Sequence, residues 1–183
     1  PNNHALDGGP PSSEMEKECV QALANLFGYH HPYLGHLSSS GTIANLEALW
    51  VARSIHPKKG IAYSSEAHYT HGRMAQVLGM RAHSFQLDSE HSITEHLDAL
   101  PFDSIGTLIV TMGTTGLGKV EPLAHILDWA HSRDIRIHID AAYGGFFKSI
   151  SNLLPGPVAH WDRMHEADSI VIDPHKHGLQ PYG

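Results

Sequence analysis

The stretch Ile135–Arg136–Ile137–His138–Ile139–Asp140–Ala141–Ala142–Tyr143–Gly144–Gly145 carries the decisive reading of this chain. Its β-branched run, Ile135–Ile139, reads as a strand that ends on a carboxylate, and residues with little side chain follow. Runs of the same kind recur at Ile61–Tyr63, Arg81–Leu87, Thr107–Met112 and Ser169–Ile172. Helical patterns separate them at Tyr69–Leu78, at Ser92–Leu100, where Ser92 and Glu95 form a capping box, and at Pro122–Ser132, with its proline in the first turn. Strand, helix, strand in repetition requires crossover connections, which are right-handed and lay the strands parallel under a cover of helices. The expected fold class is α/β, a mostly parallel sheet flanked by helices. Ligands of such sheets bind beyond the carboxyl ends of the strands, so the residues just past each strand carry the functional reading.

Two helices are expected ahead of the first strand. Ser13 and Glu16 read as a capping box, and Met15, Cys19, Leu23 and Leu26/Phe27 then share one side of a helix that stops near Gly28. A second helix follows Ser40–Gly41–Thr42, with Ile43, Leu46 and Leu49/Trp50 as its buried stripe.

With 183 residues the chain has room for one core, and a single domain over 1–183 is expected. At 41% hydrophobic and 17% charged residues it falls outside the disordered and membrane classes. No apolar run approaches the roughly 18 residues that span a bilayer, and Pro1–Pro11 lacks the basic flank of a signal peptide, so no membrane partner and a cytoplasmic location are expected. The net charge is −7 and the few Lys and Arg are scattered, which leaves no cationic face for a phosphate backbone and so no nucleic-acid partner. The single cysteine, Cys19, cannot close an internal disulfide, agrees with a reducing compartment and is expected to pack. The 17 histidines fit metal sites, a pH-sensitive surface or compositional drift equally well.

Beyond Ser169–Ile172 stands Asp173–Pro174–His175–Lys176–His177–Gly178. A lysine there, buried and near cationic groups, has its pKa lowered and can act as a Schiff-base nucleophile; alone it would be an ordinary loop lysine. Asp140 can hold a pyridine nitrogen protonated, and Ala141–Ala142 lets a flat ring approach the backbone; alone it would equally serve magnesium or a turn. The two lie 36 positions apart, enough for one crossover between neighbouring strands. Ser38–Ser39–Ser40–Gly41–Thr42 runs into a helix and offers hydroxyls and free N–H groups to a phosphate, or else is a plain serine cap. His68 is placed to stack on an aromatic ring or to be a loop histidine.

Taken together, Ser40–Gly41–Thr42, Ser64–Ser65–Glu66–Ala67–His68, Gly113–Thr114–Thr115, His138–Gly145 and Asp173–Pro174–His175–Lys176 resemble the group II pyridoxal-phosphate amino-acid decarboxylases of fold type I. The resemblance covers nearly the whole chain in the family's order. It implies the cofactor pyridoxal 5'-phosphate, with Lys176 as the Schiff-base lysine, Asp140 paired to the pyridine nitrogen, His68 stacked on the ring and Ala142 beneath its other face. Ser40, Gly41, Thr42 and His175 would hold the phosphate, with Thr115 close by. It also implies an amino-acid substrate, decarboxylation to the amine and carbon dioxide, and a homodimer. The chain would be the large domain alone, lacking an N-terminal arm, a C-terminal small domain and the mobile loop whose tyrosine acts as acid in many relatives. His177 stands where many animal relatives carry tryptophan.

Other readings compete. An aminotransferase or a carbon–carbon aldehyde-lyase on the same scaffold shares these residues. Gly113 to Lys119 spells the phosphate-binding pattern of nucleoside triphosphatases, although Val120 replaces the magnesium-binding hydroxyl and Glu121 adds negative charge. The pairs His68/His71, His91/His96 and His160/His165 are the nearest to metal ligands, but none makes H-E-x-x-H, and no metal site is expected. A non-catalytic scaffold is the last alternative.

Overall fold

Seven consecutive residues of strand β3 (Ile105–Thr111) are buried, a pattern that requires a layer of structure on each face of the sheet. The computed structural model describes residues 9–30, 32–87 and 92–182. Its strands β1 (Gly60–Ser64), β2 (Ala82–Phe85), β3, β4 (Arg136–Asp140) and β5 (Ser169–Val171) form one sheet of order β2-β1-β3-β4-β5, parallel at every pairing. The five strands expected from β-branched runs are all present, each within a few residues of its predicted bounds.

Side-chain alternation along β4 shows how the two layers divide. Ile137 and Ile139 enter the larger core with Leu108 and Val110 of β3, against helices α1 (Pro10–Phe27), α4 (Ile93–Asp98) and α5 (Leu123–His131). His138 and Asp140 point the other way, in register with Ile109 and Thr111 of β3. On that face Ile61 and Ile109 pack with Leu49 and Met74, from helices α2 (Gly41–Ile55) and α3 (Thr70–Val77). Polar side chains buried on this face need partners in α2 and α3, and the site below supplies them.

Several local expectations are corrected. α1 begins at Pro10 with Gly9 as its N-cap, so Ser13 lies inside the helix and is buried rather than capping it. Two prolines with φ preset for the first turn explain the earlier start, and the Gly9 carbonyl accepts from Ser13 N at 3.0 Å. The helix therefore buries Ala24 and Phe27, while Met15 and Cys19 face outward, so the cysteine does not pack. In α2 the inward row is Asn45, Leu49 and Ala52, and Ile43 and Trp50 are exposed. Pro122 caps α5 instead of entering its first turn. The 3-10 segment Gly145–Leu153 and helix α6 (Ala159–Asp162), which fill the passage from β4 to β5, had no counterpart in the sequence reading. The Ser92–Glu95 capping box is present as expected.

The loops after β3 and β4 touch backbone to backbone. A Cβ on Gly144 would stand 2.0 Å from the Met112 carbonyl oxygen and 3.3 Å from the Cα of Gly113, itself at φ +98°. Gly144→Ala is expected to lower stability by ~1–3 kcal/mol, because main chain must move to admit the methyl group. A urea unfolding midpoint unchanged from the native protein would refute this packing.

Candidate active site

Strand order reverses between β1 and β3: the chain leaves β1 for β2 on one side and returns to β3 on the other. Such a reversal opens a crevice at the carboxyl ends of the strands. A cleft lies there, lined by Gly41 and Thr42 from the start of α2, His68 from the loop before α3, Asp140 from the end of β4, and Lys176 beyond β5. Thus the chain brings together an acid, an amine, an imidazole and a helix N-terminus.

Asp140 is the most constrained of these groups. Its Oδ2 accepts from His71 Nε2 at 2.8 Å and its Oδ1 from the Ala142 N–H at 3.1 Å. Burial alone would raise its pKa, but the His71 hydrogen bond and charge together with the Ala142 N–H outweigh it and hold the carboxyl down at about 2. Behind it, His138 Nε2 meets Asn45 Oδ1 at 2.7 Å and its Nδ1 meets Ser169 Oγ at 2.8 Å; burial lowers this histidine to about 4, so it is neutral. His68 lies in the cleft with Nδ1 at 2.8 Å from Thr70 Oγ1, and burial lowers its pKa too, leaving a flat uncharged ring at neutral pH.

Lys176 differs from the expectation of a buried amine among cations. Its side chain is 36% exposed and its Nζ lies 2.9 Å from Asp173 Oδ2. His177 turns away to pack its ring against Tyr143 and Phe147, each at 4.5 Å between centroids. His175 stacks on Tyr182 at 4.1 Å and lies outside the cleft lining. Asp173 is itself buried and sits against Gly41, where a Cβ would come within 2.4 Å of its carboxylate. Only glycine allows the lysine loop to approach the first turn of α2 so closely.

Ser40 is the N-cap of α2, its hydroxyl accepting from Ile43 N at 3.2 Å. Thr115 and Ala142 line the cleft, whereas Thr114 is buried and accepts from the Lys119 N–H at 3.1 Å. The nucleotide-binding reading of Gly113–Lys119 is overturned, because the Gly113 and Thr114 N–H groups are spent on the Lys119 carbonyl and Val120 bridges back to Met112. No helix opens at Lys119; α5 starts at Leu123. The histidine pairs also separate: His71 goes to Asp140, His160 Nδ1 accepts from Ala124 N–H, and His165 Nδ1 meets the Asp162 carbonyl. His91 lies outside the described residues. Among the described residues no three His, Cys, Asp or Glu side chains form a metal-binding group.

Sequence reasoning missed His71, weighed only as a metal ligand, and Asp173, quoted without a role. It also read Glu121 only as charge. Glu121 is buried, its Oε1 accepts from Ser64 Oγ and its Oε2 from the Thr111 N–H at 2.8 Å, so it ties β1 to β3 under the cleft. Burial pushes its carboxyl up to about 7.

The parallel sheet of this order matches the large-domain fold of the fold type I vitamin B6 enzymes. Residues 4–183 match the pyridoxal-dependent decarboxylase conserved domain, and the chain belongs to that family. It is 32% identical over 174 residues to an L-aspartate decarboxylase of Thermococcus kodakarensis, covering 93% of this chain and 45% of that protein. An L-aspartate/L-glutamate decarboxylase of Pyrococcus horikoshii is 28% identical over 176 residues, covering 94% of this chain and 46% of its own length. In fold the chain resembles the glutamate decarboxylase domain of a diaminobutyrate-pyruvate transaminase and L-2,4-diaminobutyrate decarboxylase from Vibrio parahaemolyticus, with TM-score 0.85 and 22% identity over 98% of this chain and 44% of that one. The chain thus spans a little under half the length of the curated relatives it matches. No helix among the described residues is long and apolar enough to cross a membrane.

Two of the buried carboxyls, Asp140 and Glu121, give stability opposite pH dependences. Asp140, held below its unfolded value of roughly 3.9, contributes stability that is present above about pH 4 and lost as pH falls toward 2. Glu121 keeps a proton that the unfolded chain has already released, so it costs stability as pH rises from roughly 4.5 to about 7, after which the cost is constant. Glu121→Gln, which can still accept from Thr111 and donate to Ser64, is expected to be more stable than the native protein by ~1–3 kcal/mol at pH 8 and equal to it near pH 4. Urea unfolding at the two pH values measures the difference.

Proposed function

We propose that the intact protein is a pyridoxal-phosphate-dependent carboxy-lyase, which takes an amino acid to the amine and carbon dioxide with Lys176 as the covalent anchor of the cofactor. The observation that carries this reading is Asp140, held anionic at the end of β4 in the same cleft as Lys176. The donor set fits the cofactor: a carboxylate for a ring nitrogen and an amine for an aldehyde carbon, both lining one cleft. Thr111 Oγ1 is also buried without a hydrogen-bond partner and its residue lines the cleft, leaving a polar atom for a ligand to satisfy.

His68 would cover one face of the ring and Ala142 the other. Ser40, Gly41 and Thr42 would hold the phosphate at the start of α2, with Thr115 beside it. Bound there, pyridoxal phosphate supplies a protonated ring that draws electron density from the substrate's Cα as carbon dioxide leaves. Asp140 keeps the proton on the ring nitrogen, since a carboxylate fixed by two donors does not take that proton itself. Asp173 holds the Lys176 amine at the cleft, where both residues are part of the lining. Neutral His68 stacks without adding a second positive charge beside the ring. The intact protein is proposed to act as a homodimer, a reading that the exposed apolar Leu34, Leu37 and Trp50 support.

Incubation of the intact protein with aspartate, glutamate, tyrosine and other amino acids, with carbon dioxide and amine measured together, tests the reaction. Release of a keto acid in place of carbon dioxide would sink it. Lys176→Ala is expected to abolish the cofactor adduct trapped by borohydride, and an adduct at another lysine would refute the anchor. Asp140→Asn is expected to retain cofactor and lose turnover by at least ~10²-fold, whereas a native rate would remove its role.

A further inference from the structure

We propose that His71 is a positioning residue for the ring nitrogen of pyridoxal phosphate, acting through Asp140: its Nε2–H fixes the carboxylate so that a free lone pair faces the cleft. The inference rests on the reading of Asp140 just given and assigns a role to a side chain that reading leaves unused. His71 is fully buried in α3, beside Met74 and Ala75 of an otherwise apolar patch. An imidazole in such a place costs stability unless its polar atoms are met. Only one of them is: Nε2 lies 2.8 Å from Asp140 Oδ2, while Nδ1 is buried without a partner. Space-filling alone would be served better by an apolar side chain, so the observation that needs explaining is the bond to Asp140.

That bond completes a clamp. Ala142 N–H approaches Oδ1 from the strand end and His71 approaches Oδ2 from α3, which fixes the carboxylate plane from two independent elements. An ionised carboxyl offers about four acceptor positions, so two donors leave room for a third from the cleft. Electrostatic surroundings are mixed: Glu121 and His138 lie behind the pair, and His68 and Lys176 lie on the cleft side. The Tyr63 ring lies tilted against the His71 ring, 6.1 Å between centroids. His71 follows His68 by three residues, so the loop into α3 carries the imidazole that lines the cleft and the first turn of α3 the one that braces its acid.

The test uses the intact protein loaded with pyridoxal phosphate labelled with 15N in the ring, with three readings: borohydride trapping at Lys176, the 15N shift of the ring nitrogen between pH 6 and 8, and the cofactor dissociation constant. His71→Phe keeps a ring and removes the donor. His71→Gln places an amide nitrogen near the position of Nε2. The native protein and H71Q are expected to hold the nitrogen in the protonated range throughout, whereas H71F should shift toward the unprotonated range within this window and bind cofactor roughly tenfold more weakly. If H71F does not fold, His71→Asn, too short to reach Oδ2, takes its place with the same expectation. A native 15N profile in the donor-less variant, with the Lys176 adduct intact, overturns the role of His71 alone. Absence of the Lys176 adduct from the native protein overturns the underlying cofactor reading, and this inference with it.

Discussion

A carboxylate can be buried in a protein only where donors receive it, and the architecture of this chain converges on one such case. Asp140 is almost inaccessible, yet it is held ionised by an imidazole from α3 and by the backbone of its own strand end. Each donor depends on a larger arrangement. The Ala142 N–H points at Oδ1 because the chain turns sharply after β4, and the turn is possible because Gly144 lies against Met112. His71 reaches Oδ2 because α3 packs on the sheet through Met74 and Ala75. Remove either condition and the energetic cost of a bare buried charge returns.

The amine side of the cleft is organised differently. Lys176 is partly exposed and tied to Asp173, which is wedged against Gly41 at the first turn of α2. Acid and amine are therefore supported by separate helices: α3 braces Asp140, and α2 meets the lysine loop. Their common frame is the sheet, where β4 and β5 pair directly. Glu121 joins β1 to β3 beneath the same cleft, and it does so as a carboxyl whose proton is retained close to neutrality.

Much of this was legible in the sequence, for definite reasons. Strands made of β-branched runs and helices with internal caps announce themselves locally, so all five strands and the Ser92–Glu95 cap were found. The residues just past the strands led to Asp140, Lys176 and His68, and the family resemblance to Thr115; the fold gathers all four into one cleft. Partnerships were not legible. How much of the expected stripe of α1 meets the core depends on how the helix docks: Phe27 is buried with Leu23 and Leu26 packed beside it, whereas Met15 and Cys19 face outward. His71 and Asp140 are separated by 69 positions, and nothing local marks the imidazole as the acid's donor. A signal did exist: His138 and Asp140 share a strand face that also holds Ile109, so two polar groups had to be answered from the overlying helices.

The alternation along β4 has a consequence for how the gene can vary. Isoleucines at 137 and 139 and polar groups at 138 and 140 face opposite layers, both closed to water. Deleting or inserting one codon within the strand would exchange the two sets, sending an acid into hydrocarbon and aliphatic chains into the ligand crevice. Substitutions can be absorbed one at a time along this segment, but a change of length cannot. Length polymorphism among natural variants should therefore gather in the connection that follows, between Leu153 and Val158, where the chain is mostly solvent-facing.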